Sequence, residues 1–166
     1  MSSDLARVLH CFVRYTSLAI FLVRWYNIRV MEEKTKRHIE VSGALFVEKG
    51  KVLAFEKGEA KYPYVSHKFE FPGGKLEKGE DPRRALRREL LEELDMTAEV
   101  YDIFDTVTHE YPDFTITLYV CLCRRLSDYK LKEHVRVVPL SSSELDPADW
   151  APADAHTVSK IRSHLL

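Results

Sequence analysis

The stretch that most constrains this chain is FPGGKLEKGEDPRRALRRELLEEL, from Phe71 to Leu94. Asp is a strong N-cap and Pro suits the first helical position, so Asp81-Pro82 opens a helix that runs to about Leu94. Leu86, Leu90 and Leu94 recur at i, i+4 and i+8 and make one apolar stripe. Glu89, Glu92 and Glu93 stand at i, i+3 and i+4 and share an adjoining face. A helix built this way packs by its leucines and gathers three carboxylates at an edge. Carboxylates so close repel one another and either bind protons or hold a cation. A hard divalent ion such as Mg²⁺ takes oxygen ligands while keeping waters and substrate phosphates. Gly73 and Gly74 let the backbone turn sharply and bring a carbonyl or an N–H close to a metal or phosphate. The plainer alternative is a solvated acidic face paired with Arg83, Arg84, Arg87 and Arg88.

The rest of the chain frames this helix. HIEVSGALFVE and KVLAFEK are β-rich and joined at Lys49-Gly50-Lys51, a hairpin pattern. GEAKYPYVSHK is a polar loop, and KFEFPGG a short strand running into the glycine turn. EVYDIFDTVTHEY and FTITLYVCLCRRL are strand-like, with Tyr111-Pro112-Asp113 as the turn between them. HVRVVPL is another strand, and SSSELDPADWAPAD holds at most a short helix. AHTVSKIRSHLL closes the chain as a helix with Val158, Ile161 and Leu165 on one face. Strands with one helix inserted and one at the end predict an α/β layered fold around a mixed sheet.

The chain has 166 residues, enough for one domain with a real core. Its 25 Lys and Arg nearly balance 26 Asp and Glu, so no broad basic surface for a nucleic-acid polymer or a membrane is implied. The three cysteines, Cys11, Cys121 and Cys123, lack zinc spacing; an odd count points to a reducing compartment, the cytoplasm. Residues 1–30 are apolar but broken by Arg7, Arg14, Arg24 and Arg29, and Met31 opens a stretch that reads as a natural start. Three readings of this extension stand: a start assigned upstream of the true one, an amphipathic helix docked on the domain or on a membrane surface, or an anchor. The uncharged run between Arg14 and Arg24 falls short of the roughly 20 residues a bilayer needs. A peptide covering Val8–Val23, found in the native protein by mass spectrometry, would sink the first reading.

The central stretch resembles the Nudix box. That pattern is Gly, five residues, Glu, seven residues, then Arg-Glu-apolar-X-Glu-Glu-X-Gly-apolar. Here Gly74, Glu80, Arg88, Glu89, Leu90, Glu92, Glu93 and Met96 fill eight of the nine specified positions. The departure is Asp95 in place of Gly, expected to end the helix in a left-handed conformation at a cost of about 1 kcal/mol. FEFPGGKLEKGE, HEYPDFTITLYVCLCRRL and DWAPADAHTVSKI extend the likeness to the MutT-type nucleoside triphosphate pyrophosphohydrolases, from about Arg37 onward. The resemblance implies a Nudix α/β/α sandwich spanning 31–166. It implies Mg²⁺-dependent cleavage, with Mn²⁺ able to substitute, of a nucleoside triphosphate to the monophosphate and pyrophosphate.

Carried over position by position, the resemblance makes Glu89, Glu92 and Glu93 metal ligands, with the Gly74 carbonyl a further ligand. Glu89 is the first candidate for general base, Arg88 orients a glutamate, and Glu80 is an orienting group. Glu133 lies where MutT-type proteins carry an additional glutamate; metal ligand, true base and plain loop carboxylate all stay open. His109 and His134 compete for the base only weakly, since a lone His beside a strand is more often structural. Asp154 matches the position that meets the nucleobase, and it also sits where the last helix would need an N-cap. An ionised Asp accepts from N1–H and the amine of guanine, but meets cytosine well only when protonated. Trp150, Phe114 and Tyr111 are candidates to pack on the base, and Lys57 and Lys75 to meet phosphates. The expected substrate is 8-oxo-dGTP. The alternatives are CTP, a modified dCTP or another nucleoside diphosphate linked to a group X, and a non-catalytic nucleotide-binding module. The partner is then a small nucleotide, and the protein a monomer or homodimer.

Overall fold

A computed structural model describes residues 36–164. The extension, Cys11 and Leu165 lie outside the described residues. Six strands and two long helices follow in the order β1 (Arg37–Glu48), β2 (Lys51–Lys57), β3 (Phe69–Glu70), α1 (Pro82–Leu94), β4 (Ala98–Glu110), β5 (Phe114–Arg125), β6 (His134–Leu140) and α2 (Pro152–His164). Two short 3-10 turns, Pro63–Val65 and Pro147–Asp149, lie in the connections.

The β1–β2 hairpin closes through Lys49 and Gly50, both at positive φ (50° and 73°), the two-residue turn whose twist suits adjoining strands. β1 runs parallel to β5, from Arg37 opposite Phe114 to Phe46 opposite Cys123. β4 and β5 are antiparallel, closed by Tyr111 N–H donating to the Phe114 carbonyl (2.8 Å). β2 pairs antiparallel with β1 at its start, with β3 at Phe55 and Glu56, and with β6 along its length. The sheet is therefore mixed, as the pattern of elements predicted.

Alternation along the strands sends neighbouring residues to opposite faces. Leu45, Val52, Ala54, Leu118 and Val120 join Val158 and Ile161 of α2 in one core. Ala44, Phe46, Leu53, Phe55, Cys121 and Cys123 join Leu86, Leu90 and Leu94 of α1 in the other. Each fully buried leucine contributes about 1.5–3 kcal/mol relative to exposure. The leucine stripe read in α1 is thus the surface that seats it on the sheet, and the result is an α/β/α sandwich. Cys121 and Cys123 are buried free thiols on one face.

The last helix starts three residues before the pattern suggested. Pro152 occupies its first turn, and Ala151 supplies the carbonyl that accepts from Asp154 and Ala155 N–H (2.9 and 3.0 Å). Asp154 is therefore inside the first turn and does not cap by its side chain. Proline's pre-set φ explains the earlier start.

Candidate active site

Asp81 caps α1, its carboxylate accepting from the backbone N–H of Arg83 and Arg84. At the other end Asp95 adopts the expected left-handed conformation (φ 53°), with Lys130 Nζ 3.2 Å from its carboxylate. Between these ends the helix is braced against the glycine turn. Gly73, at φ 150°, lies so near β1 that an added Cβ would stand 2.1 Å from the Ser42 carbonyl oxygen. A Cβ on Gly74 would stand 2.3 Å from Cδ of Glu89. The turn passes directly over the Glu89 carboxylate, so a side chain at position 74 would push that carboxylate out of place. The Gly74 carbonyl accepts from Ser42 N–H (2.9 Å), which leaves one lone pair for another partner.

Arg88 ties the motif together. Its guanidinium donates to Glu80 Oε2 (2.9 Å), to Glu89 Oε1 (2.6 Å) and to the Lys75 carbonyl (3.1 Å), and lies 3.6 Å from Glu92. These bonds, Glu80's foremost, move the Arg88 pKa up, and the same Arg88 bond holds Glu80 below the usual carboxylate range. Arg88 thus bonds Glu89 on one side and Glu80 on the other.

Glu93 is the most perturbed carboxylate of the cluster. Burial first, then the charges of Glu133 and Glu70, and lastly that of Glu89, push it up to about 8 against the pull of Lys57. Glu133, an exposed loop residue far along the chain, is near enough for its charge to act on Glu93. Glu92 is the outlying member, its side chain 60% exposed. Among the described residues no three acidic or histidine side chains already form a closed metal cage. Arg88 holds Glu89 at 2.6 Å.

The other predicted residues divide. Lys57 Nζ lies 2.9 Å from Glu70 Oε1, so its nearest anion is a carboxylate of the protein. Lys75 and Phe114 line a cavity of about 380 Å³ with Arg37, Ile39, Val41, Lys61, Tyr62, Asp113 and Ile116. Tyr62 joins Phe114 there, ring centroids 5.5 Å apart. Trp150 and Tyr111 are core residues, 2% and 5% exposed. The Trp150 ring packs on Phe71 and Phe69 (4.8 and 5.9 Å), which replaces the base-stacking role considered for it. Asp154 is buried and accepts from Phe71 N–H (2.9 Å). Burial, with the charge of Glu70, pushes its carboxyl up to about 8, while the Phe71 bond and Lys57 pull it down. His134 is buried on Glu70, the structural kind of histidine, and His109 packs on Tyr111.

Glu70, Tyr62 and Arg37 are the residues that sequence reading missed. Only Glu70 left a signal: a charged residue between Phe69 and Phe71, in a strand entering the glycine turn.

With this geometry in hand, comparison places the chain. The NUDIX domain model matches residues 36–164. The 8-oxo-dGTP diphosphatase of Escherichia coli (strain K12) is 35% identical over 100 residues, 60% of this chain and 78% of its own. That of Proteus vulgaris is 41% identical over 91 residues, 53% of this chain and 76% of its own. The solution structure of the MutT protein of a methicillin-resistant Staphylococcus aureus, a Nudix hydrolase, is 35% identical with a TM-score of 0.61, covering 77% of this chain and 98% of that one. The chain belongs to the NUDIX domain family. It is a hydrolase of phosphoanhydride bonds. Members of this family work with a divalent metal ion, and the donors here fit one: all are oxygens, and burial, with the neighbouring carboxylates, disfavours the charge on Glu93.

Proposed function

We propose that this protein hydrolyses 8-oxo-dGTP to the monophosphate and pyrophosphate, and so cleans the nucleotide pool. The observation that carries the reading is the brace at Arg88. It fixes Glu89 beneath Gly74 and beside Glu93, where a phosphate chain can lie along the glycine turn. The relatives named 8-oxo-dGTP diphosphatase, at 35% and 41% identity, support the choice of substrate. Glu89, Glu92, Glu93 and Glu133, with the Gly74 carbonyl, would hold Mg²⁺, or Mn²⁺ in its place. The ion supplies charge to neutralise phosphate oxygens and acidifies water. Glu89 takes the water proton, and Arg88 keeps that carboxylate aimed. Lys75 and Lys57 face the phosphates, Phe114 flanks the nucleoside, and Asp154 reads the base. The buried free thiols of Cys121 and Cys123 support a reducing, cytoplasmic setting. The partner is a small nucleotide, not a nucleic-acid polymer. Among the described residues no helix is long and apolar enough to cross a membrane.

One observation favours a second substrate. An Asp154 carboxyl raised to about 8 is largely neutral near pH 7. A neutral acid donates to N3 of cytosine and accepts from its amine, whereas an ionised one suits guanine. CTP or a modified dCTP is the runner-up on that ground. The test is a panel of intact and oxidised nucleoside triphosphates with Mg²⁺, products identified. Pyrophosphate and the monophosphate from 8-oxo-dGTP are expected. Orthophosphate as the only inorganic product would overturn the reaction, and cytidine nucleotides turned over faster than 8-oxo-dGTP would overturn the base choice.

A further inference from the structure

Three strands meet where β2 ends. Lys57 is its last residue and pairs with His134, the first residue of β6, while Phe55 pairs with Glu70 in β3. Two donors converge on one oxygen of Glu70: Lys57 Nζ at 2.9 Å and His134 Nε2 at 3.1 Å. The His134 side chain is 1% exposed and stands edge-on to Phe55, with ring centroids 5.4 Å apart. Its Nδ1 has no protein partner among the described residues. Glu70 is therefore the group that His134 is built to meet. Lys57 keeps 38% of its side chain open.

The position of Lys57 matters because of what surrounds it. Glu70, Glu93 and Glu133 each act on its charge, and it acts in turn on Glu93 and Asp154. Burial alone would lower the Lys57 pKa, but its anionic neighbours outweigh that and move it up, so the ammonium is kept. Burial likewise raises Glu70, yet the His134 bond and the Lys57 charge win and move it down. A phosphate chain entering here meets several carboxylates, and a cation pinned among them offsets their repulsion at a defined point.

We propose that Glu70 and His134 are positioning residues: His134 holds Glu70, and Glu70 holds the Lys57 ammonium toward the phosphates of a nucleotide lying along the glycine turn. This rests on the nucleotide-hydrolase reading above and names two residues that reading does not use. An ion pair kept only for stability would leave nucleotide affinity unchanged when the fold survives. Flexible lysine loses rotamer freedom when it binds, so fixing it beforehand tightens binding. The adjacent residue extends the arrangement, since Phe71 N–H holds Asp154 on the base side.

The test uses the full chain and its variants Lys57→Met, Glu70→Gln, His134→Leu and His134→Gln. KM and kcat are measured with Mg²⁺ and the triphosphate the wild type prefers. Dissociation constants are measured for the same nucleotide with an imido group bridging the α and β phosphates. Lys57→Met and Glu70→Gln should each weaken KM and Kd about 10-fold, the scale of one charge-assisted bond, with kcat less affected. His134→Leu should match Glu70→Gln, while His134→Gln, whose amide replaces the Nε2 donor, should stay within about 3-fold of wild type. The Lys57→Met/Glu70→Gln double variant should be no weaker than Lys57→Met alone. Folded Glu70→Gln that binds like wild type, or additive losses in the double variant, would overturn the proposal. If His134→Leu melts, the Glu70→Gln and double-variant results decide. A wild type that cleaves no nucleotide would overturn the parent reading, and this one with it.

Discussion

The two helices look alike in outline and differ in what they do. Each has 13 residues and a proline in its first turn, and each buries an apolar stripe on one face of the same sheet. α1 carries its charged cluster on its own length: Arg88, Glu89, Glu92 and Glu93 lie on successive turns of one helix, with Glu89 set against the glycine bend at Gly74. α2 carries little alone. Its Asp154 acts through Phe71, eighty-three positions away, and its polar side is tied to Asp105 by Thr157 (2.8 Å) and Lys160 (2.8 Å). On the proposed function, the contrast makes α1 the reaction surface and α2 a buttress whose first turn alone reaches the site.

Removing a carboxylate from α1 should break the contrast hardest. Glu93→Gln is expected to lower kcat at least ~100-fold, the scale of losing one electrostatic group in a site. Melting should show the fold intact, because burial and the neighbouring carboxylates already disfavour the Glu93 charge. Full activity in this variant would remove α1 from the chemistry. On α2, Asp154→Ala should act through recognition. KM for the preferred base should rise about 10-fold, more than kcat falls, as expected when a base-edge hydrogen bond is lost. A kcat effect as large as that of Glu93→Gln would erase the distinction between the helices.

Asp154 also predicts a pH dependence. Folding raises its pKa from 3.8 to about 8, so the native state holds its proton more tightly than the unfolded chain. The linked stability is complete below the unfolded value and is lost as pH climbs toward 8. Asp154→Asn keeps an oxygen for the Phe71 amide and removes this titration. Its Tm should gain on wild type between about pH 5 and about pH 9, and parallel melting curves would show that the folded carboxyl keeps an ordinary pKa and carries its charge. The smallest effect belongs to the end of α1. Asp95→Gly relieves a left-handed residue but loses the Lys130 pair, so a gain of under about 1 kcal/mol in urea melts is expected. A loss would mean that the ion pair matters more than the backbone.

Much of α1 could be read from residue order, because its cap, stripe, glutamates and glycine turn depend on spacing within about one helix length. The hairpin, the mixed sheet and Asp95's left-handed turn were legible for the same reason. What stayed hidden depends on partners far apart in the chain. Nothing local to Lys57 shows Glu70 and His134, and nothing near Asp154 shows the amide of Phe71. Trp150 illustrates the converse: its ring suits base stacking, but Phe69 of β3 and Phe71 just after it close over it.

Phe71 has one further consequence. Its contribution to Asp154 is made by the main chain, so exchanging its aromatic ring would damage the core while leaving that N–H in place. A conventional scan would credit this position with packing alone. Only proline, or an amide-to-ester replacement by chemical synthesis, deletes the donor itself, and such a backbone edit is how a contact invisible to ordinary mutagenesis would come into view.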